Sequence, residues 1–147
     1  MHKIKSQEQR NALNSWAKAG YCGSIIAGTG FGKSRCGVLA ICHILDKEYK
    51  TWDTLPSKAL LLVPTVQLQK QFRDEFIKWD KESYLEDVDI MCYQSAYKIK
   101  AENYCIVVCD EIHLGLSPEY RKFFENNTYD ALLCMTATLP EEYEYNL

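Results

Sequence analysis

The chain has 147 residues, 47% hydrophobic and 25% charged, a balance typical of one globular domain large enough to bury a core. No apolar run approaches the roughly 20 residues that cross a bilayer, and the polar start lacks the apolar stretch of a signal peptide. We therefore expect a cytoplasmic or otherwise intracellular protein with no membrane partner. The net charge of −3 excludes a general attraction to nucleic acid. However, residues 1–50 carry eight Lys or Arg against three Asp or Glu, so a local basic patch and ordinary solvated surface both stay open.

The seven cysteines are odd in number and form no C-x-x-C pair. Most of them lie inside apolar runs, so we interpret them as small buried side chains in a reducing compartment. A zinc site is the alternative, and the absence of zinc-ligand spacing disfavours it.

Helix-like and strand-like segments alternate along the whole chain. In chain order they are a helix over 6–19, a strand over 22–27, a helix over 33–49, a strand over 59–63, a helix over 65–80, a strand over 88–92, a short helix over 94–100, a strand over 104–109, a helix near 118–126 and a strand over 131–135. This order predicts an α/β fold, a three-layer sandwich with a mostly parallel sheet. Ligands of such sheets bind at the carboxyl ends of the strands.

A glycine-rich loop lies between the first strand and the second helix. It follows the pattern G-x-x-x-x-G-K-[ST], with alanine in the first position. Its glycines allow backbone amides to wrap around phosphates, and the next helix directs its positive dipole end at them. Lys33 is placed to pair with the β- and γ-phosphates and Ser34 to ligate Mg²⁺, so ATP and Mg²⁺ are the expected cofactors. A plain glycine-rich turn before a helix is the alternative. The candidate phosphate-binding residues are Ala27, Gly28, Thr29, Gly30, Phe31, Gly32, Lys33, Ser34 and Arg35.

Two adjacent carboxylates, Asp110 and Glu111, follow the apolar strand over 104–109. Placing them at the end of a buried strand is costly unless they have a function. Asp110 is the expected Mg²⁺ ligand, directly or through water, and Glu111 is the expected group that polarises the attacking water. Lys33, Asp110 and Glu111 are therefore the candidate catalytic residues. His113 is either a surface imidazole or a bridge from the acidic pair to the next segment, and a solvated turn is the alternative for the pair.

Together these segments resemble the first RecA-like domain of superfamily 2 helicases and translocases, in the DExH group that includes type III restriction subunits and XPB-like repair helicases. The resemblance covers roughly residues 4–140, with the motifs in the family's order. It implies a P-loop NTPase (RecA-like) domain of an ATP-dependent helicase. Residues 27–34 are similar to motif I, and Asp110-Glu111-Ile112-His113 is motif II in its DExH form. Thr136-Ala137-Thr138 is similar to motif III. The resemblance implies that four residues couple the ATP state to strand binding: His113, Thr136, Ala137 and Thr138.

The same resemblance implies further binding residues. Gln9 would read the adenine edge; Gln7 is an alternative alignment, and Glu8 stands where the family usually has an aromatic residue. The strand over 59–63 and the residues after it are similar to motif Ia, and residues 91–95 are similar to a T-Y-Q-S element. The implied contacts with nucleic acid, DNA more than RNA, are Pro64, Thr65, Tyr93, Gln94 and Ser95.

The resemblance also implies a second RecA-like domain, in cis or in trans, that supplies an arginine finger. Since the chain ends at Leu147, just past motif III, we expect residues 1–147 to form the first RecA-like domain alone. We expect this chain by itself to bind nucleotide weakly, to hydrolyse it very slowly and not to unwind duplexes. The alternatives are a non-enzymatic binding or regulatory module with the same fold, and a P-loop ATPase or kinase unrelated to nucleic acid.

Overall fold

The computed structural model describes residues 2–26, 33–48, 58–115 and 117–136. The helices are α1 (His2–Lys18), α2 (Lys33–Glu48), α3 (Val66–Lys78), α4 (Tyr93–Ala96) and α5 (Lys122–Asn126). The strands are β1 (Cys22–Ile26), β2 (Ala59–Val63), β3 (Val88–Cys92), β4 (Asn103–Tyr104), β5 (Ile106–Asp110), β6 (Thr128–Tyr129) and β7 (Leu132–Thr136). Two 3₁₀ turns cover Glu82–Asp87 and Ile112–Gly115.

The central sheet has five parallel strands in the order β1-β7-β5-β2-β3. Every residue of β2 is fully buried, as expected for a central parallel strand covered on both faces. Leu61 and Val63 point into a core formed with α1, α2 and α3, whereas Leu60 and Leu62 point into a second core formed with α4 and α5. The three-layer α/β sandwich predicted from the alternating segments is confirmed.

The strand register places the carboxyl ends of the five strands along one edge of the sheet. Ile26 lies opposite Thr136, Asp110 opposite Met135, and Val63 opposite Cys92. In such a sheet the loops that leave this edge are the ones that can bind a ligand. The sequence predicted binding residues in the segments that follow these strands, and the described ones, after β2, β3 and β5, begin at this edge.

Helix α3 begins where the sequence predicts. Pro64 ends the preceding strand, and Thr65 is the N-cap residue, whose hydroxyl oxygen accepts a hydrogen bond from the Leu68 amide at 3.2 Å. The apolar side chains of α3 are spaced for one face, and Phe72 and Phe76 are completely enclosed in the core. The cap and this stripe together explain why the helix begins at its predicted place.

Several boundaries differ from the sequence-based expectation. The short helix is Tyr93–Ala96 rather than 94–100, and only the last part of 118–126 is helical. The strand predicted over 104–109 divides, because Tyr104 pairs with Tyr129 in a small separate parallel sheet while β5 joins the central one. The 3₁₀ turn Glu82–Asp87 was not predicted. The loop expected over 50–57 lies outside the described residues, and no described helix is long and apolar enough to cross a membrane.

Six of the seven cysteines are buried, as predicted, and Cys22 is exposed. Burial raises the pKa of Cys36 to about 11 and that of Cys42 to about 12, from a usual value near 9. A hydrogen bond from Cys109 lowers the pKa of Cys134, whose side chain is only 6% exposed. Within the described ranges no group of three or more His, Cys, Asp or Glu could hold a metal ion, so nothing there supports the zinc alternative.

Thiol reactivity checks this burial pattern. At pH 8 we expect 5,5′-dithiobis(2-nitrobenzoate) to label one thiol of the native chain quickly, and Cys22→Ser to remove that fast phase. A thiol with a pKa of about 11 is ionised in about one molecule in a thousand at this pH, and the reagent also has no access to it. Two or more fast thiols in the native chain would contradict this arrangement.

Burial of Cys36 and Cys42 also makes stability depend on pH. Because their folded-state pKa values are raised, the contribution of the two thiols to the free energy of unfolding is present below pH 9 and is lost as pH rises toward 12.

Candidate nucleotide site

The acidic pair sits where β5 leaves the sheet. Asp110 is the last residue of β5 and is 2% exposed, and Glu111 is half-buried. Glu111 has a φ of 48°, the left-handed region, which a residue with a Cβ seldom adopts. Strained backbone of this kind persists where neighbouring contacts enforce it, and it is concentrated at functional sites. The structure thus holds the Glu111 carboxylate in a constrained turn immediately after a buried carboxylate.

Motif II and motif III contact each other directly. The Thr136 hydroxyl donates a hydrogen bond to Glu111 Oε2 at 3.2 Å, and Thr136 is 1% exposed. A hydrogen bond to a charged acceptor is stronger than one between neutral groups, so this bond restricts the orientation of the carboxylate. The structure therefore brings together two of the predicted site residues, although they are 25 positions apart in the chain.

Tyr93, which lies in the core formed with α4 and α5, contacts the backbone beside the acidic pair. Its hydroxyl donates to the backbone carbonyl of Asp110 at 2.9 Å, and its side chain is 3% exposed. Burial raises the pKa of Tyr93 well above its usual range, so the phenol stays a neutral donor. The expected contact of Tyr93 with nucleic acid does not fit this position, because the ring packs in the core. Only Gln94 and Ser95 of the T-Y-Q-S-like element are exposed.

Gln9 and Arg35 form one cluster. The Arg35 guanidinium donates to Gln9 Oε1 at 3.1 Å, and Gln9 is 3% exposed. The guanidinium carbon lies 4.4 Å from the ring centroid of Trp79, in cation–π geometry. Arg35, a predicted phosphate ligand, thus hydrogen-bonds Gln9, the residue predicted to recognise the adenine edge. The sequence analysis assigned no role to Trp79.

Helix α2 approaches the sheet closely just after the phosphate loop. A Cβ added to Gly37 would lie 3.1 Å from Met135 Cε, so glycine allows the first turns of α2 to pack tightly on β7. Ser34 is half-buried on the first turn. Other predicted site residues lie outside the described residues or have side chains outside them: Ala27, Gly28, Thr29, Gly30, Phe31, Gly32, Lys33, His113, Ala137 and Thr138.

The candidate strand contacts lie at the other end of the carboxyl edge. Thr65 is exposed and Pro64 is half-buried at the end of β2, and Gln94 and Ser95 follow β3, the edge strand. Strand β1, which precedes the candidate phosphate-binding residues in the chain, lies at the opposite side of the sheet, and β7 and β5 lie between β1 and β2. The sheet order thus separates the candidate nucleotide residues from the candidate nucleic-acid residues, with the Glu111–Thr136 bond between the two groups.

The five-stranded parallel sheet with helices on both faces, taken together with the family match, makes the chain a RecA-like ATP-binding lobe of the superfamily 2 helicase class. More narrowly, the family described as "Type III restriction enzyme, res subunit" matches residues 4–141, and the chain belongs to this family. No curated protein matches the chain significantly.

Solved structures share the fold. The Pyrococcus furiosus Hef helicase domain is 18% identical over 92% of this chain and 33% of its own, with a TM-score of 0.64. A nuclease-deletion mutant of the Type ISP restriction-modification enzyme LlaGI, in complex with a DNA substrate mimic, is 17% identical over 92% of this chain and 17% of its own, with a TM-score of 0.60. The yeast DEAD-box splicing factor Prp28 is 21% identical over 83% of this chain and 37% of its own, with a TM-score of 0.51. The chain therefore spans well under half of each of these proteins.

The hydrogen bond from Tyr93 to the Asp110 carbonyl can be measured through stability. We expect Tyr93→Phe to lower the free energy of unfolding by about 1–2 kcal/mol, because the buried carbonyl of Asp110 loses the hydrogen bond from the phenol. The matched control is Tyr84→Phe, since the Tyr84 hydroxyl donates to exposed Asp46 at 2.7 Å and water can replace it. Urea denaturation measures both variants, and equal losses would contradict a special contribution of Tyr93.

Proposed function

We propose that this chain is the Mg²⁺–ATP-binding lobe of a DExH-type DNA helicase or translocase, and that it contacts a nucleic-acid strand with the far end of its carboxyl edge. The observation that carries the proposal is the hydrogen bond between Glu111 and Thr136. It joins the carboxylate proposed to act on the attacking water to the segment proposed to respond to the bound strand. A module used only for docking has no need of this contact, so the bond does not favour the non-enzymatic alternative.

The donor set suits Mg²⁺ better than zinc. Mg²⁺ prefers oxygen ligands and is commonly held by one or two carboxylates together with substrate phosphates, rather than by an all-protein cage. Asp110, the last residue of β5, supplies a carboxylate at the carboxyl edge, which fits this mode of binding. Asp110 and Ser34 would hold the ion, and residues 27–33 would hold the phosphates.

When bound, Mg²⁺–ATP supplies a γ-phosphoryl group open to in-line attack. The residues of the chain then divide the remaining work. Lys33 pairs with phosphate charge, Glu111 orients and deprotonates water, and Thr136 limits the positions that the Glu111 carboxylate can take. Gln9 reads the base edge, held in place by Arg35.

The DNA preference and the DExH assignment have separate support. The LlaGI structure contains a DNA substrate mimic, which favours DNA, while Prp28 is a DEAD-box splicing factor. His113 occupies the fourth position of motif II, where DEAD-box proteins carry Asp. Pro64, Thr65, Gln94 and Ser95 are the proposed backbone contacts on the strand.

Fast hydrolysis in this proposal needs a second RecA-like domain. An arginine finger stabilises the charge of the transition state and can raise the rate by several orders of magnitude. Arg35 does not replace it, because its guanidinium is held between Gln9 and the Trp79 ring. In this proposal a second domain, in cis or in trans, supplies the arginine finger.

Binding and turnover of ATP test the site. We expect Lys33→Ala to weaken binding of a fluorescent ATP analogue by about tenfold or more, because the lysine pairs with the phosphates. Glu111→Gln should leave this affinity close to that of the wild type while lowering single-turnover hydrolysis about 100-fold, since the amide cannot accept the proton.

Two results would overturn the proposal. Equal ATP affinity of the wild type and Lys33→Ala rejects the phosphate-site assignment. DNA-stimulated turnover on the order of 1 s⁻¹ by the 147-residue chain alone rejects the need for a second domain.

A further inference from the structure

Three tyrosine rings stand next to each other beside the candidate strand contacts. The rings of Tyr93 and Tyr120 are 6.1 Å apart between centroids with an interplanar angle of 20°, so they are stacked. The ring of Tyr97 lies 5.8 Å from that of Tyr120, tilted by 40°. Tyr93 is buried, whereas Tyr97 and Tyr120 are only half-buried. We call Tyr97 and Tyr120 the tyrosine step; Tyr93 supports it from inside the core.

The tyrosine step lies close to the carboxyl edge. Helix α4 begins directly after β3, and its exposed Gln94 and Ser95 come just before Tyr97. The Tyr97 amide donates to the Tyr93 carbonyl at 3.3 Å, which continues the turn of α4 into the step. A strand held by the exposed residues of α4 therefore passes next to the two rings.

Charged side chains of both signs lie in the segments that carry the tyrosine step. The Lys98 ammonium lies 5.7 Å from the centroid of the Tyr97 ring. Exposed basic side chains follow both rings in the chain: Lys98, Lys100, Arg121 and Lys122. Exposed Glu102, Glu119 and Glu125 oppose these cations, and the Glu119 carboxylate hydrogen-bonds Tyr97. Partly exposed aromatic faces between cations suit a ligand with flat rings and phosphates, although the whole chain has a charge of −3.

We propose that the tyrosine step is a stacking platform for the unpaired bases of a single-stranded nucleic acid, whose phosphates are met by Lys98 and Arg121. This inference rests on the proposed function and deepens it, because backbone contacts at Thr65 and Gln94 do not require bases. Every base has a π face, so such a platform accepts any sequence but needs the strand to be unpaired. Duplex DNA, whose bases stack on each other, does not fit it.

Fluorescence anisotropy of labelled strands tests the platform with the 147-residue chain. The probes are an oligothymidylate of about 12 nucleotides and an abasic strand of the same length and charge. We expect the wild type to bind the thymidylate strand about tenfold more tightly than the abasic strand, as stacking of one or two bases would give. Tyr97→Ala should abolish this difference while leaving the affinity for the abasic strand unchanged, and Tyr97→Phe should restore it.

Two further variants control the experiment. Tyr84→Ala removes a half-buried tyrosine that packs against the other core, and it should keep the tenfold preference for bases. Glu119→Gln removes one opposing carboxylate and should tighten binding of both strands about twofold, because one fewer like charge faces the phosphates.

The outcomes separate the two proposals. If the wild type binds both strands equally, or if Tyr97→Ala keeps its preference for bases, the platform is rejected and the proposed nucleic-acid binding stands. If the wild type binds neither strand at low salt, the proposed nucleic-acid binding is rejected together with the platform.

Discussion

The parallel register of the five-stranded sheet is the constraint on which the site depends. Because all five strands run in one direction, each of them ends at the same edge, and each binding segment begins where a strand has just ended. Full burial of β2 and of the apolar part of β5 fixes this register, since a slip by one residue would turn every side chain to the opposite core. Segments distant in the chain therefore become neighbours without a single covalent cross-link.

The junction after β5 shows how the two cores act on the site. Tyr93, on one side of the sheet, donates to the Asp110 carbonyl, and Thr136, at the end of the neighbouring strand, donates to the Glu111 carboxylate. The backbone of Glu111 lies in a conformation that costs on the order of 1 kcal/mol or more for a residue with a Cβ. Contacts from two other strand ends offset this cost, so the geometry of the acidic pair is a property of the folded sheet.

Arg35 has a similar effect among the helices. Its guanidinium hydrogen-bonds Gln9 of α1 and lies over Trp79, which caps the end of α3. One side chain of α2 thereby connects three helices that pack on the same face of the sheet. A cation–π contact of this kind contributes on the order of 0.5–2 kcal/mol. Because the planar guanidinium of Arg35 is fixed by the Trp79 ring, its hydrogen bond also keeps the buried side-chain amide of Gln9 in one orientation.

The sequence alone determined the layered α/β fold, the order of the motifs and the chemistry expected of Lys33, Asp110 and Glu111, because apolar periodicity and residue type are local properties that survive without coordinates. It also placed the start of α3 correctly at Thr65, the residue that caps it, since a cap depends on residues within one turn. Only the tertiary structure decided that Tyr93 is buried, that Arg35 hydrogen-bonds Gln9, and that Thr136 hydrogen-bonds Glu111. Each of these depends on a contact between residues at least 17 positions apart, and the spacing of residues along one chain carries no information about which distant partner a side chain meets.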